Sequence, residues 1–113
     1  MDATLQLDER SAMTWATRPD MSCESVSGAW LEFTGCPREQ ALGDGWARWV
    51  HPEDLPRWLE AWLRAFDARE SFAIEYRLRR RDGTYRWVLE RGRPRFSREG
   101  RFTGYAGTCA ELV

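Results

Sequence analysis

The sequence offers little for metal chemistry or disulfide bonding. Its 113 residues include a single histidine and three cysteines, and no two cysteines form a CxxC pair. A structural zinc ion needs four clustered cysteine or histidine ligands, and these four residues form no such cluster in the sequence, so no metal site is expected. The odd cysteine count gives no closed disulfide framework, and free thiols in a reducing compartment are the simplest interpretation.

The usual motifs of catalysis are missing as well. The chain has no P-loop, no GxSxG, no HExxH and no Rossmann glycine run. Glu53 and Asp54 stand beside His51, but a general base also needs a positioned substrate. Both carboxylates are explained by the N-terminus of a following helix, whose dipole favours negative charge. We therefore expect no enzymatic activity from this chain.

Long apolar runs are also lacking. No stretch of 18 consecutive apolar residues occurs, so this segment is not expected to span or contact a membrane. The N-terminal residues MDATLQLDERSAM carry acids from position 2 and no apolar core, unlike a signal peptide. These features predict a cytoplasmic domain and leave open a membrane anchor elsewhere in a parent protein.

Lysine is absent, and charge of one sign does not dominate. The 17 basic residues are all arginines, and 18 acidic residues bring the net charge to −1. The densest basic run, at 77–81, lies between Glu75 and Asp82 and ends in a turn, which is typical of a solvated strand end. A duplex-binding module concentrates positive charge on one face, so no nucleic-acid binding is expected.

Aromatic and other apolar residues are plentiful. Hydrophobic residues make up 42% of the chain and include seven Trp, five Phe and three Tyr. That content is enough for a packed core, and the length fits one domain. A polar lead-in segment at 1–11 precedes this domain, which we place at 12–113.

The hydrophobic periodicity changes from helical to extended along the chain. Apolar residues recur at spacings of three and four after Pro52, which predicts an amphipathic helix over about 52–68. Alternation of apolar and polar residues then predicts a strand at 72–79, and Asp82-Gly83 supplies a tight turn. Further strands are expected at 85–93 and 101–112.

The first half of the chain is composed of shorter elements. Strands are predicted at 12–17 and 22–26, and helices at 28–34 and 38–42, before a compact aromatic stretch at 46–50. Two short strands, a helical middle and a three-strand antiparallel meander together predict an α+β fold.

Several segments are similar to one known family. The segments GW…VHPED at 45–54, EYRLRRRDGTYRWV at 75–88 and AWLEFTG at 29–35 resemble motifs of PAS domains, particularly the PAS fold-3 subfamily of bacterial sensor kinases. GRP at 92–94 and GRF…GT at 100–108 resemble its closing strands, which carry the PAC motif. The family typically ends in a DIT tripeptide that this chain lacks.

The resemblance implies a fold and a role. The fold is a five-stranded antiparallel sheet with short helices and one long helix packed on one face. The implied role is that of a sensory or regulatory domain that binds a small ligand, mediates dimerisation, or does both. The implied partners are a second copy of the chain and a downstream effector such as the histidine kinase of a two-component system.

A small-molecule site between sheet and helix is the first hypothesis for a binding site. Its predicted lining is aromatic: Trp46, Trp58, Trp62, Tyr76 and Trp87. Aromatic walls with a few polar groups suit a ligand, but the same side chains can fill the space completely. A ligand-free dimerisation module with a filled core is therefore the alternative.

A haem or flavin sensor is the third and least favoured hypothesis. Some PAS domains hold haem through one imidazole, and His51 is the single candidate here, although its place at a helix start favours a structural role. Cys36 lies in Gly35-Cys36-Pro37-Arg38, which does not match the GxNCRFLQ motif of flavin-binding light sensors. No cofactor is expected.

Overall fold

The structure, a computed structural model of the chain, describes residues 13–112. The predicted lead-in at 1–11 lies outside the described residues, as do the first and last residues of the predicted domain. Among the described residues no helix is long and apolar enough to cross a bilayer.

The fold is the expected α+β arrangement of one antiparallel sheet and several helices. The strands, in chain order, are β1 (Met13–Thr17), β2 (Cys23–Val26), β3 (Phe72–Arg79), β4 (Tyr85–Phe96) and β5 (Phe102–Glu111). The helices are α1 (Gly28–Thr34), α2 (Arg38–Ala41), a 3₁₀ helix (Gly45–Trp49) and α3 (Leu55–Ala68).

The sheet has the strand order β2-β1-β5-β4-β3, so β5 joins the N-terminal hairpin to the C-terminal meander. Residues paired across neighbouring strands lie on the same face, and the buried face carries Val88, Tyr76 and Cys109. The long helix α3 packs on this inner face through Trp58, Trp62 and other residues of its apolar stripe. Within residues 13–112, the outward-facing side chains of β3 and β4 on the opposite face are exposed or half-buried.

The helix α3 begins three residues later than predicted. Pro52, Glu53 and Asp54 precede the helix, and Pro56 takes the early helical position that suits proline. The Asp54 side chain does not cap the helix, because its carboxylate is bound by Arg77 on β3. The explanation of Glu53 and Asp54 as first-turn charges is therefore wrong.

The strand β4 runs three residues beyond its predicted end and includes Pro94. Proline lacks an N–H and is tolerated where one side of a strand is unpaired. Here β3 begins at Phe72, opposite Gly92, so Pro94 has a strand neighbour only on the β5 side, at Tyr105.

Candidate functional site

Four tryptophans form one contact cluster between the sheet and α3. Trp15, Trp46, Trp58 and Trp62 are all buried. The Trp46 ring centroid lies 5.0 Å from that of Trp62 and 5.7 Å from that of Trp58, and Trp15 lies 5.0 Å from Trp62. Tilted and edge-to-face contacts at these distances are favourable for aromatic rings.

Three separate elements bring these rings together. The i, i+4 spacing on α3 places Trp58 and Trp62 on one face, and the 3₁₀ helix adds Trp46. Trp15 comes from β1, where buried and less buried residues alternate. Sequence reasoning did not include Trp15 in the site, although the alternation of Met13, Trp15 and Thr17 is the signal that places it inward.

Two glycines give the Trp15 indole room to lie flat on the sheet. Gly107 pairs with Trp15 on one side and with Gly92 on the other. A Cβ on Gly107 would lie 2.5 Å from Trp15 Cζ2 and 1.9 Å from the Arg91 carbonyl oxygen, and a Cβ on Gly92 would lie 2.9 Å from Trp15 Cη2. The indole, together with the Phe72 ring, whose Cε1 would lie 2.5 Å from a Cβ on Gly92, therefore occupies the volume that side chains at these two positions would need.

A single carboxyl group lies within the cluster. Glu90 on β4 is 1% exposed, and its Oε1 accepts hydrogen bonds from Trp58 Nε1 at 3.0 Å and Trp62 Nε1 at 3.3 Å. Burial raises the pKa of Glu90 to about 7, against the opposing effect of hydrogen bonds from Trp58, Trp62 and Tyr76. An acid without a nearby cation is stable inside an apolar core mainly in its neutral form.

Sequence reasoning missed Glu90. The signal was available, because Val88 and Trp87 fall on opposite faces of an alternating strand and Glu90 follows Val88 by two residues. The alternation does not show which of the two faces is buried, and a charged residue such as Glu90 is not expected on the buried one.

Two further ionisable side chains, Tyr76 and Cys109, lie near the Glu90 carboxyl. Tyr76 on β3 is fully inside the protein, and its hydroxyl lies 3.9 Å from Sγ of Cys109 on β5. Burial raises the pKa of Tyr76 well above its ordinary value and raises that of the Cys109 thiol as well. Both groups are therefore neutral at physiological pH, and neither supplies a counter-charge to Glu90.

The predicted lining is only partly brought together. Trp46, Trp58, Trp62 and Tyr76 converge as expected, with the Tyr76 ring 6.1 Å from that of Trp58. Trp87 lies on the opposite face of the sheet, where it pairs with Arg77 and is 47% exposed. Its place in the predicted lining is therefore wrong, because Trp87 and Val88 alternate and Val88 is the inward residue.

The cluster contains one unpaired polar atom. Nε1 of Trp15 is buried and has no hydrogen-bond partner among the described residues. Buried donors are normally paired, and an orphaned one costs about 1–3 kcal/mol. Surface grooves of about 530 and 290 Å³ lie elsewhere, one beside the β3–β4 turn and one between α3 and β3.

The VHPED segment holds the outer edge of β3. Oδ2 of Asp54 accepts the Arg77 backbone N–H at 2.8 Å and Nε at 3.0 Å, while Oδ1 accepts Nη2 at 2.8 Å. These bonds hold the pKa of Asp54 down at about 2. The Arg77 carbonyl accepts the His51 backbone N–H at 2.9 Å, so both edge groups of this residue are satisfied.

The remaining candidate residues are His51 and the three cysteines, which make packing and hydrogen-bond contacts within the fold. His51 is half-buried, its Nδ1 accepts the Glu53 backbone N–H at 3.0 Å, and its ring contacts Tyr85 at 4.5 Å. Cys23, Cys36 and Cys109 are buried free thiols. Within residues 13–112, no group of three or more His, Cys, Asp or Glu side chains is arranged to hold a metal ion.

The sheet order, the single long helix and the aromatic interior define the class of PAS-fold sensor modules. The sequence model of the PAS_3 family, described as PAS fold, matches residues 24–109. The chain belongs to this family, whose domains act as sensory parts of signalling proteins.

Relatives of the chain support the same assignment. An uncharacterized protein, y4lL of Sinorhizobium fredii (strain NBRC 101917 / NGR234), is 39% identical over 106 residues, which cover 94% of this chain. The chain spans 13% of the length of that relative.

Solved structures share the fold at lower identity. The N-terminal domain of a diguanylate cyclase with a PAS/PAC sensor from Marinobacter aquaeolei superimposes with a TM-score of 0.78 at 20% identity, over 88% of this chain and 94% of that one. A sensory box histidine kinase/response regulator from Burkholderia thailandensis E264 gives a TM-score of 0.69 at 25% identity, over 97% and 83% of the two chains.

Proposed function

We propose that this domain is the regulatory module of a bacterial signalling protein, that it works as a cytoplasmic homodimer, and that it controls a downstream effector domain such as a histidine kinase. The observation that carries the dimer is the exposed indole of Trp87, which lies on the outer face of the sheet near the β3–β4 turn. Large aromatic side chains of this kind are typical anchors of protein interfaces.

The surroundings of Trp87 suit an interface. The Leu112 N–H donates to the Trp87 carbonyl, and Leu89 pairs with Ala110 on the same face, so these residues form one apolar strip. Charged residues border the strip, including Arg77, whose guanidinium lies 5.2 Å from the centre of the Trp87 ring. An apolar centre with a polar rim is the usual anatomy of a protein–protein interface.

The effector part of the proposal rests on the lengths of related proteins. The curated relative is several times longer than this chain, which leaves room there for further domains. Of the two solved proteins, one is a diguanylate cyclase with a PAS/PAC sensor and the other is a sensory box histidine kinase/response regulator. A module of this kind transmits a signal when a ligand or partner has different affinities for two of its conformations.

The dimer is tested by sedimentation velocity on the wild type, Trp87→Glu and Leu63→Glu. Leu63 is the matched control, because it is 56% exposed but lies on the outer side of α3. We expect dimers for the wild type and Leu63→Glu, and monomers with an unchanged circular dichroism spectrum for Trp87→Glu. A monomeric wild type, or a dimeric Trp87→Glu, would overturn the proposed interface.

Ligand binding in the tryptophan cluster is a second candidate. It is favoured by the unpaired Nε1 of Trp15, which lies in the same aromatic cluster as the Glu90 carboxyl. Native mass spectrometry and an absorption spectrum of freshly purified protein test it. Retention of a small molecule by the wild type but not by Trp15→Phe supports this candidate. Equal retention by both proteins contradicts a role of Trp15 in binding, and bare protein mass without visible absorption supports the filled core.

A further inference from the structure

We propose that Glu90 is a proton-responsive switch, in which ionisation of the buried carboxyl changes the packing of α3 on the sheet. The proposal rests on the proposed regulatory function and names the proton as a stimulus for it. It begins from the position of the carboxyl, which is 1% exposed between β4 and two indole N–H groups of α3.

Every element packed around the carboxyl contributes neutral groups. The helix α3 contributes Trp58 and Trp62, β3 contributes Tyr76, and β5 contributes Cys109, which pairs with Glu90 across the sheet. Among the described residues, no arginine forms an ion pair with Glu90. Because Tyr76 and Cys109 stay protonated, the carboxyl is the group in this cluster that can change charge near neutral pH.

The neutral and ionised forms place different demands on the packing. A neutral carboxyl fits the apolar interior with its two indole hydrogen bonds, as in the structure. A carboxylate binds the same donors more tightly but is costly to bury without a cation. The core must then either move Trp58 and Trp62 with the charge or admit water, and both responses change how α3 lies on the sheet.

The position of Glu90 also connects the core to the outer face. Glu90 is adjacent in β4 to Leu89, which faces outward in the apolar strip that contains Trp87. A shift of β4 therefore moves side chains on both faces of the sheet. Each unit by which the Glu90 pKa differs between two packing states changes their ratio about tenfold across the titration.

The experiment is an NMR titration of the full chain between about pH 5 and pH 9, with side-chain carboxyl ¹³C and tryptophan indole ¹H–¹⁵N signals recorded together. The wild-type protein is titrated first. We expect one glutamate carboxyl to titrate near neutral pH, and the Trp58 and Trp62 indole signals to move with the same midpoint. Hydrogen exchange of α3, corrected for intrinsic rates, should change across that midpoint.

Two variants complete the test. Glu90→Gln keeps the shape and cannot ionise, so its indole signals should not titrate, while Glu75→Gln on the outer face of β3 should titrate like wild type. The proposal is overturned if no glutamate titrates near neutral pH, or if one does and the indoles and α3 do not respond. A normal dimer in sedimentation together with such a result would reject the switch and keep the proposed interface.

Discussion

The packing of the interior depends on Glu90, on Trp15 and on the two glycines that the Trp15 indole covers. Gly92 and Gly107 face each other across β4 and β5, and the Trp15 indole covers them. Their lack of a side chain is needed for space and not for an unusual backbone angle. This arrangement brings a β1 aromatic ring against Trp62, close to the carboxyl.

Replacing Gly107 with Ala should destabilise the domain strongly. The new Cβ would lie 1.9 Å from the Arg91 carbonyl oxygen, so the strands β4 and β5 or the Trp15 ring must move. We expect a loss of about 2–4 kcal/mol in the free energy of unfolding, measured by chemical denaturation. Gly28→Ala is the control, because nothing lies within 4 Å of its added methyl group, and a small change of either sign is expected there.

Asp54 is the second residue with a large expected effect. Asp54→Ala leaves the Arg77 amide and guanidinium without their acceptor, which should cost about 2–3 kcal/mol. Because folding lowers the pKa of Asp54 from 3.8 to about 2, its contribution is present above its ordinary pKa and disappears as the pH falls through about 2. Denaturation of wild type and variant at pH 7 and pH 3 should therefore show a smaller difference at pH 3.

The neighbouring Glu53 provides the comparison for Asp54. Its carboxylate is exposed and reaches Arg77 at 3.4 Å, with none of the backbone contact that Asp54 makes. Glu53→Ala should change stability by less than about 0.5 kcal/mol. An equal loss for both variants would contradict the assignment of Asp54 as the group that holds this edge of β3.

At the scale of elements, the C-terminal end of α3 is fixed to the sheet by Tyr105. The Tyr105 hydroxyl on β5 lies 2.7 Å from the Ala65 carbonyl and 2.6 Å from the Glu70 carbonyl. The hydroxyl hydrogen is shared between the Ala65 carbonyl in the last turn of α3 and the Glu70 carbonyl just beyond the helix, so Tyr105 ties the helix end to the segment that follows it. The ring of Tyr105 also stacks on Phe66 of α3 at 4.3 Å.

Tyr105→Phe should loosen this end of the helix and leave the remainder in place. The ring contacts persist, so the expected loss is that of one buried hydrogen bond, about 1–2 kcal/mol. Amide hydrogen exchange should accelerate around Ala65 and Glu70 more than in the first turn of α3. Uniform acceleration along the helix, or none, would contradict this local role.

Most elements could be predicted from the sequence because their signals are local. The switch from helical to alternating periodicity placed α3 and β3 closely, and the helix at 28–34 was predicted with its observed ends. The start of α3 was predicted too early because Asp54 has a distant partner, Arg77, which local patterns do not report. The same limitation left the inward face of β4 undecided.

The binding-site prediction shows this limitation most clearly. Aromatic content correctly brought Trp46, Trp58, Trp62 and Tyr76 to one region, since each stands on an apolar face of its element. Trp87 was misplaced and Glu90 was missed for one reason: a strand alternates without saying which side is covered. Only the packing of α3 decides that question.

At the scale of the whole molecule, the domain has two faces with different properties. The inner face carries aromatic rings around one carboxyl, and the outer face presents the apolar strip that contains Trp87. The strand β4 contributes to both. Through this strand, ionisation of Glu90 would alter the surface that we propose as the dimer interface.

The pH dependence of stability in wild type and Glu90→Gln shows whether the Glu90 carboxyl is buried without a counter-charge. Because the Glu90 pKa rises from 4.5 to about 7 on folding, the unfolded state releases this proton first as the pH increases. Wild type should therefore lose about 3 kcal/mol of unfolding free energy relative to Glu90→Gln between pH 4.5 and pH 7, and the difference should stay constant above pH 7. Parallel curves for the two proteins would contradict the central claim of a buried, uncompensated carboxyl.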